Sequence, residues 1–114
     1  MSKFIREPLK IEELVAIDHK ILEAYDLYVK KNTDFLDLQT IVYLDEAVAV
    51  DDETDEEIYP EFVIMNDLEW YFSGQVIIDI IDNTKYQLKN PSVQDYITNL
   101  NNYSEHDCFY TFNE

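Results

Sequence analysis

Residues 32–84 contain fifteen Asp and Glu and no Lys or Arg. No other feature constrains the fold as much. The flanks differ: residues 1–31 carry six bases and six acids, and residues 85–114 carry two bases and four acids. Density peaks at Asp51-Asp52-Glu53-Thr54-Asp55-Glu56-Glu57, with six acids in seven residues. Like charges this close repel one another and favour an extended, solvated stretch. An acidic loop is therefore expected at about 45–61. Such a loop is either a mobile surface segment or a docking surface for Lys and Arg side chains.

The whole chain has 114 residues and a formal charge of −17. That length makes one domain, expected to span 1–114, with a modest core. Hydrophobic residues at 46% indicate a globular chain rather than a disordered one. One Gly and three Pro leave little room for glycine-rich phosphate loops or flexible linkers. A surface this negative is repelled by phosphate backbones and anionic lipids, which argues against nucleic-acid or membrane partners. It attracts basic proteins, and does so fastest at low salt.

The lone Cys108 can form no internal disulfide. The N-terminal stretch Met1-Ser2-Lys3-Phe4-Ile5-Arg6-Glu7 has no apolar core of a signal peptide. No apolar run approaches the ~20 residues that span a bilayer. A cytoplasmic protein is the simplest expectation.

Helical spacing of Ile11, Leu14, Val15, Ile17, Ile21 and Leu22 predicts a helix over residues 10–22, just after Pro8. Residues 25–30 fit either its continuation or a strand. Residues 38–44 are rich in β-branched and aromatic side chains and read as a strand, as does the short run Phe62-Val63-Ile64-Met65. Ser73 can cap a helix that buries Val76, Ile77, Ile80, Ile81, Thr84 and Leu88 and ends near Asn90, ahead of Pro91. Ser92 can cap a last helix that buries Val93, Tyr96, Ile97 and Leu100. The tail Cys108-Phe109-Tyr110-Thr111-Phe112 reads as an extended segment or edge strand. These elements predict an α+β domain: a short antiparallel sheet packed with about three helices.

Motifs for catalysis are absent. An EF-hand loop counted from Asp51 would need Gly at Glu56 and Glu at Phe62, and fails at both. Zinc needs more donors than His19, His106 and Cys108 supply. His106 and Cys108 would make a nucleophile pair only with an orienting group and an oxyanion hole, so a capping His and a small buried Cys are the simpler reading. With 25 acids in the chain, paired carboxylates carry no information about catalysis. No metal, cofactor or catalytic residue is assigned. Trp70-Tyr71-Phe72 is more distinctive, because three consecutive aromatics cannot all face one core. An outward ring either anchors an interface or covers a neighbouring loop.

Several stretches resemble a family of small acidic bacterial proteins, some of which are immunity proteins beside polymorphic toxins. They are Leu27-Tyr28-Val29, Thr40-Ile41-Val42-Tyr43-Leu44-Asp45, the block from Val76 to Gln87, and Asn102-Tyr103-Ser104-Glu105-His106-Asp107-Cys108-Phe109. The resemblance implies a companion toxin of the contact-dependent growth inhibition type, commonly a basic nuclease. It implies action by binding rather than catalysis, and it carries over no contact residues. A nuclease must present Lys and Arg to its substrate, and an acidic protein can occupy that surface. Asp51, Asp52, Glu53, Asp55, Glu56 and Glu57 are the candidates for steering the partner. Glu61, Asp67, Glu69, Trp70 and Tyr71 are the candidates for the desolvated centre. The alternative is a nucleic-acid-mimicking inhibitor or adaptor of a host basic protein, with acids spread at phosphate spacing.

Overall fold

The computed structural model describes residues 4–112. Residues 1–3 and 113–114, the ends of the expected domain, lie outside the described residues. The expected α+β architecture is present. Three antiparallel strands form the main sheet: β1 (Asp26–Lys30), β2 (Val42–Asp45) and β5 (Leu68–Ser73), in the order β2-β1-β5. A separate two-stranded ribbon joins β3 (Ala49–Val50) to β4 (Glu57–Ile58). Five helical segments are described rather than about three. They are α1 (Ile11–Leu14), α2 (His19–Leu22), α3 (Glu61–Met65), α4 (Gly74–Gln87) and α5 (Val93–His106).

The two long helices begin as their caps dictate. The Ser73 hydroxyl accepts the Val76 amide at 3.2 Å, and the Ser92 hydroxyl accepts the Asp95 amide at 3.2 Å. Asp95 returns the favour by accepting the Ser92 amide at 2.8 Å. α4 buries Ile77, Ile78, Ile80, Ile81 and Thr84, while Val76 and Leu88 are only half-buried. It ends at Gln87, before the expected Asn90. α5 buries Tyr96, Ile97, Asn99 and Leu100, with Val93 half-buried. Asp107, with φ of 62°, turns the chain out of α5.

Four expectations need correction. The helix over 10–22 is two single turns, α1 and α2, separated by residues 15–18. The Asp18 carboxylate accepts the Lys20 amide at 2.8 Å, so it starts a new turn instead of continuing the old one. The strand over 38–44 begins only at Val42, because Asp37 and Thr40 tie residues 37–40 into a turn. Phe62-Val63-Ile64-Met65 is helical in α3, led by Pro60 at the N-cap and Glu61 in the first turn. Such a short apolar run has no period long enough to separate helix from strand. Cys108 is exposed rather than buried. The tail forms no strand among the described residues, and side-chain amides hold it: Asn99 accepts the Tyr110 amide at 2.8 Å, and Gln87 accepts the Phe112 amide at 2.9 Å.

Each face of the sheet has its own cover. Leu27, Val29, Val42, Leu44 and Phe72 join the main core with α4 and α5. Tyr28 and Leu68 join Val63 of α3 in a second, smaller cluster, flanked by Tyr43, Val48, Tyr59 and Phe62. The outer edge of β2 is closed by the N-terminal segment, through backbone bonds between Leu9 and Val42 and from the Arg6 amide to Leu44. The chain's single glycine, Gly74, sits where α4 meets α2. A Cβ there would lie 1.7 Å from the Leu22 carbonyl oxygen, so no other residue fits without moving the helix.

Candidate binding surface

The acidic stretch is an exposed hairpin whose tip turns back on itself. Ala49 pairs with Ile58 and Val50 with Glu57. At its tip the Asp51 amide donates to the Glu56 carbonyl at 2.9 Å, and the Asp51 carboxylate accepts the amides of Glu53 and Thr54 at 2.8 and 3.1 Å. Those two amides hold the Asp51 carboxyl below the ordinary carboxylate value. Asp55 completes the turn with φ of 61°, a left-handed conformation that Asp tolerates. The local hydrogen bonds of one acid thus organise a segment that its charges alone would extend. Asp52, Glu53, Asp55, Glu56 and Glu57 remain exposed, and Asp51 is half-buried.

The base of this hairpin, the start of β1 and the middle of β5 line a cleft of about 330 Å³, formed by Asp26, Val48, Glu57, Tyr59 and Trp70. Trp70 is 46% exposed, and its indole N–H donates to Asp26 Oδ2 at 2.9 Å. The other oxygen of Asp26 accepts the Gly74 amide at 3.3 Å. The Tyr59 hydroxyl donates to Glu57 Oε1 at 2.8 Å, which raises the Tyr59 pKa. Two aromatic side chains and two carboxylates therefore converge, and no Lys or Arg among the described residues lines the cleft. A smaller hollow of about 250 Å³ adjoins it across Tyr59, lined by Lys31, Val63, Ile64, Leu68 and Glu69.

The expected residues divide among several places. Glu57 and Trp70 share the cleft, and Glu69 lines the adjoining hollow. Glu61 lines a different hollow, with Arg6, Phe62 and Met65. Asp67 is an exposed turn residue whose carboxylate is 3.3 Å from Lys31 Nζ. Tyr71 is half-buried against the main core, edge-on to Phe72 at 4.9 Å. Sequence reasoning missed Asp26, Val48 and Tyr59. The aromatic followed by Pro60 directly after the acidic run was the available signal for Tyr59, whereas nothing local marks Asp26. His106 and Cys108 do not pair: His106 Nε2 lies 3.8 Å from Glu105, and the Cys108 thiol is 3.8 Å from Asn102.

One acid of the base-free segment is fully buried. Asp45 is 0% exposed and meets Arg6, whose Nε and Nη2 both lie 3.1 Å from Oδ1. The Glu46 amide donates to the same oxygen at 2.7 Å. This partner comes from the N-terminal segment, because residues 32–84 contain no base. Beside it, Tyr28 is buried and its hydroxyl donates to the Glu46 carbonyl at 2.7 Å. Burial first, then the nearby Asp26 and Asp45, push its pKa far above the usual tyrosine value.

Fold and surface together define a small acidic α+β domain with a carboxylate-rich hairpin beside an aromatic cleft. The chain belongs to the family described as a domain of unknown function, DUF7716, whose sequence profile matches residues 9–112. No curated protein and no solved structure matches it. No helix among the described residues is long and apolar enough to cross a membrane.

Proposed function

We propose that the protein is an immunity protein: it binds a cationic toxin domain, a nuclease, and covers that domain's active site or substrate surface. One observation carries the reading. Exposed apolar side chains and acids occupy the same stretch of chain. Five of the ten large exposed hydrophobics, Val50, Ile58, Ile64, Met65 and Trp70, lie on the hairpin, α3 and β5. The six acids of the hairpin lie among them in sequence. Interfaces combine an apolar, aromatic centre with a charged rim, and complementary charge sets association rate and partner choice. A nuclease supplies the complementary surface, because it must hold phosphates with Lys and Arg.

The nucleic-acid mimic needs acids distributed along a surface. Here six of the fifteen acids in the base-free segment sit on one hairpin, which favours a single docking partner. The test expresses the C-terminal domain of the gene directly upstream from an inducible promoter, with and without the protein. Growth arrest relieved by this protein alone is the expected result. Toxicity that persists despite good expression of the protein overturns the proposal.

A further inference from the structure

We infer that the cleft between the hairpin base and the middle of β5 receives one arginine side chain of the basic partner. The inference rests on the basic-partner reading and deepens it. At about 330 Å³ the cleft lies at the small end of ligand sites, a size for one side chain rather than a large cofactor. Its walls are the rings of Trp70 and Tyr59, and its polar groups are the carboxylates of Asp26 and Glu57. Aromatic faces attract cations, and the planar guanidinium can stack on a ring while its N–H groups reach carboxylates in two directions.

Both carboxylates are already oriented. Asp26 is held by the Trp70 indole and the Gly74 amide, and Glu57 by the Tyr59 hydroxyl. A carboxylate has about four acceptor positions, so each retains capacity for a guanidinium N–H. The same bonds fix Trp70 and Tyr59, so the rings and the charges are arranged before the partner arrives. Lysine would satisfy the charge but would use neither the stacking nor the forked geometry.

Trp70 is the chain's single tryptophan and lines both this cleft and a second hollow with Val76 and Tyr103, so its fluorescence is read together with the Glu57 variant to assign the signal to the cleft. The experiment titrates the full chain at low salt with Gly-Arg-Gly, Gly-Lys-Gly and Gly-citrulline-Gly amides. The Arg peptide is expected to saturate with a Kd of order 1 mM. The Lys peptide should bind at least about threefold more weakly, and the neutral citrulline peptide not measurably. Glu57→Gln should weaken the Arg peptide about tenfold, through loss of a charged acceptor. Tyr59→Phe keeps the ring and should stay within about threefold of the parent, which separates loss of the carboxylate from collapse of the ribbon. Asp52→Asn with Glu53→Gln, at the hairpin tip outside the cleft, should preserve the Arg-over-Lys preference.

Equal binding of the Arg and Lys peptides, an unsaturable signal, or an unchanged Glu57→Gln variant each overturns the inference. Equal losses in Tyr59→Phe and Glu57→Gln also overturn it. A failed titration beside a successful toxin rescue removes the cleft and keeps the basic partner. Arginine-selective binding with failed rescue keeps the cleft as an arginine site and removes the toxin domain as the basic partner.

Discussion

The two faces of the central sheet are covered by opposite kinds of structure. On one face α4 and α5 pack into a cluster of eighteen buried apolar residues. On the other, α3 and the base of the hairpin cover a cluster of only three, Tyr28, Val63 and Leu68. Burying an aliphatic or aromatic side chain is worth ~2 kcal/mol, so the helical face supplies most of the folding free energy. The thinner face is held by individual hydrogen bonds, among them Tyr28 to the Glu46 carbonyl and Trp70 to Asp26. It is also the face that carries the acids and the cleft. A domain can present carboxylates and exposed rings on one side because the other side does not need them for stability. Regions with few buried apolar contacts open most readily, and binding surfaces are drawn from them.

The sharpest way to break this contrast is at the helical face. Gly74→Ala places a methyl group against the Leu22 and Tyr25 carbonyl oxygens, at 1.7 and 2.2 Å. α4 must then move off α2, and urea titration should show a loss of more than about 3 kcal/mol. A loss below about 1 kcal/mol would mean that the core tolerates displacement and is not the rigid half.

A smaller effect is expected at the border of the two faces. Tyr28→Phe removes one buried hydrogen bond and should cost ~1 kcal/mol at neutral pH. The folded protein holds Tyr28 protonated well above 10, the usual value for the unfolded side chain. Its contribution to stability is therefore constant below about pH 10 and is lost as pH rises beyond it, where only the unfolded chain ionises. Urea midpoints across that range should fall more steeply in the parent than in Tyr28→Phe. Parallel curves would show that the hydroxyl is not sequestered.

The smallest stability effect belongs to the hairpin tip. Neutralising Asp52, Glu53, Asp55 and Glu56 to their amides should change unfolding free energy by less than about 0.5 kcal/mol. Stopped-flow association with the basic partner should nonetheless slow and lose much of its salt dependence. An unchanged on-rate at low salt would remove the steering role from the tip.

How much of this was legible in the sequence depends on the range of the interaction. The starts of α4 and α5 were readable because Ser73 and Ser92 bond to amides three residues ahead. Residues 25–30 fit helix or strand equally from local pattern, and pairing with β2 and β5 makes them β1; the start of β2 lies later than expected where Asp37 and Thr40 form a local turn. The single helix expected over 10–22 failed at Asp18, whose side chain begins a second turn while the apolar spacing continues across the break. Charge repulsion predicts an extended stretch at 51–57, and the two Asp51 bonds turn the exposed tip instead.

The cleft had no such local signature. Asp26 and Trp70 stand 44 positions apart, and Arg6 and Asp45 stand 39 apart. The sequence by itself determined where charge accumulates, where the long helices begin and which of their faces are apolar, since caps and periodicity act over a few residues. Tertiary structure alone decided which sheet face received the helices and which acid was buried. It also decided why the one glycine is at a helix contact, and which carboxylates meet Trp70. Those outcomes depend on strand pairing, which joins distant residues through backbone groups that every sequence shares.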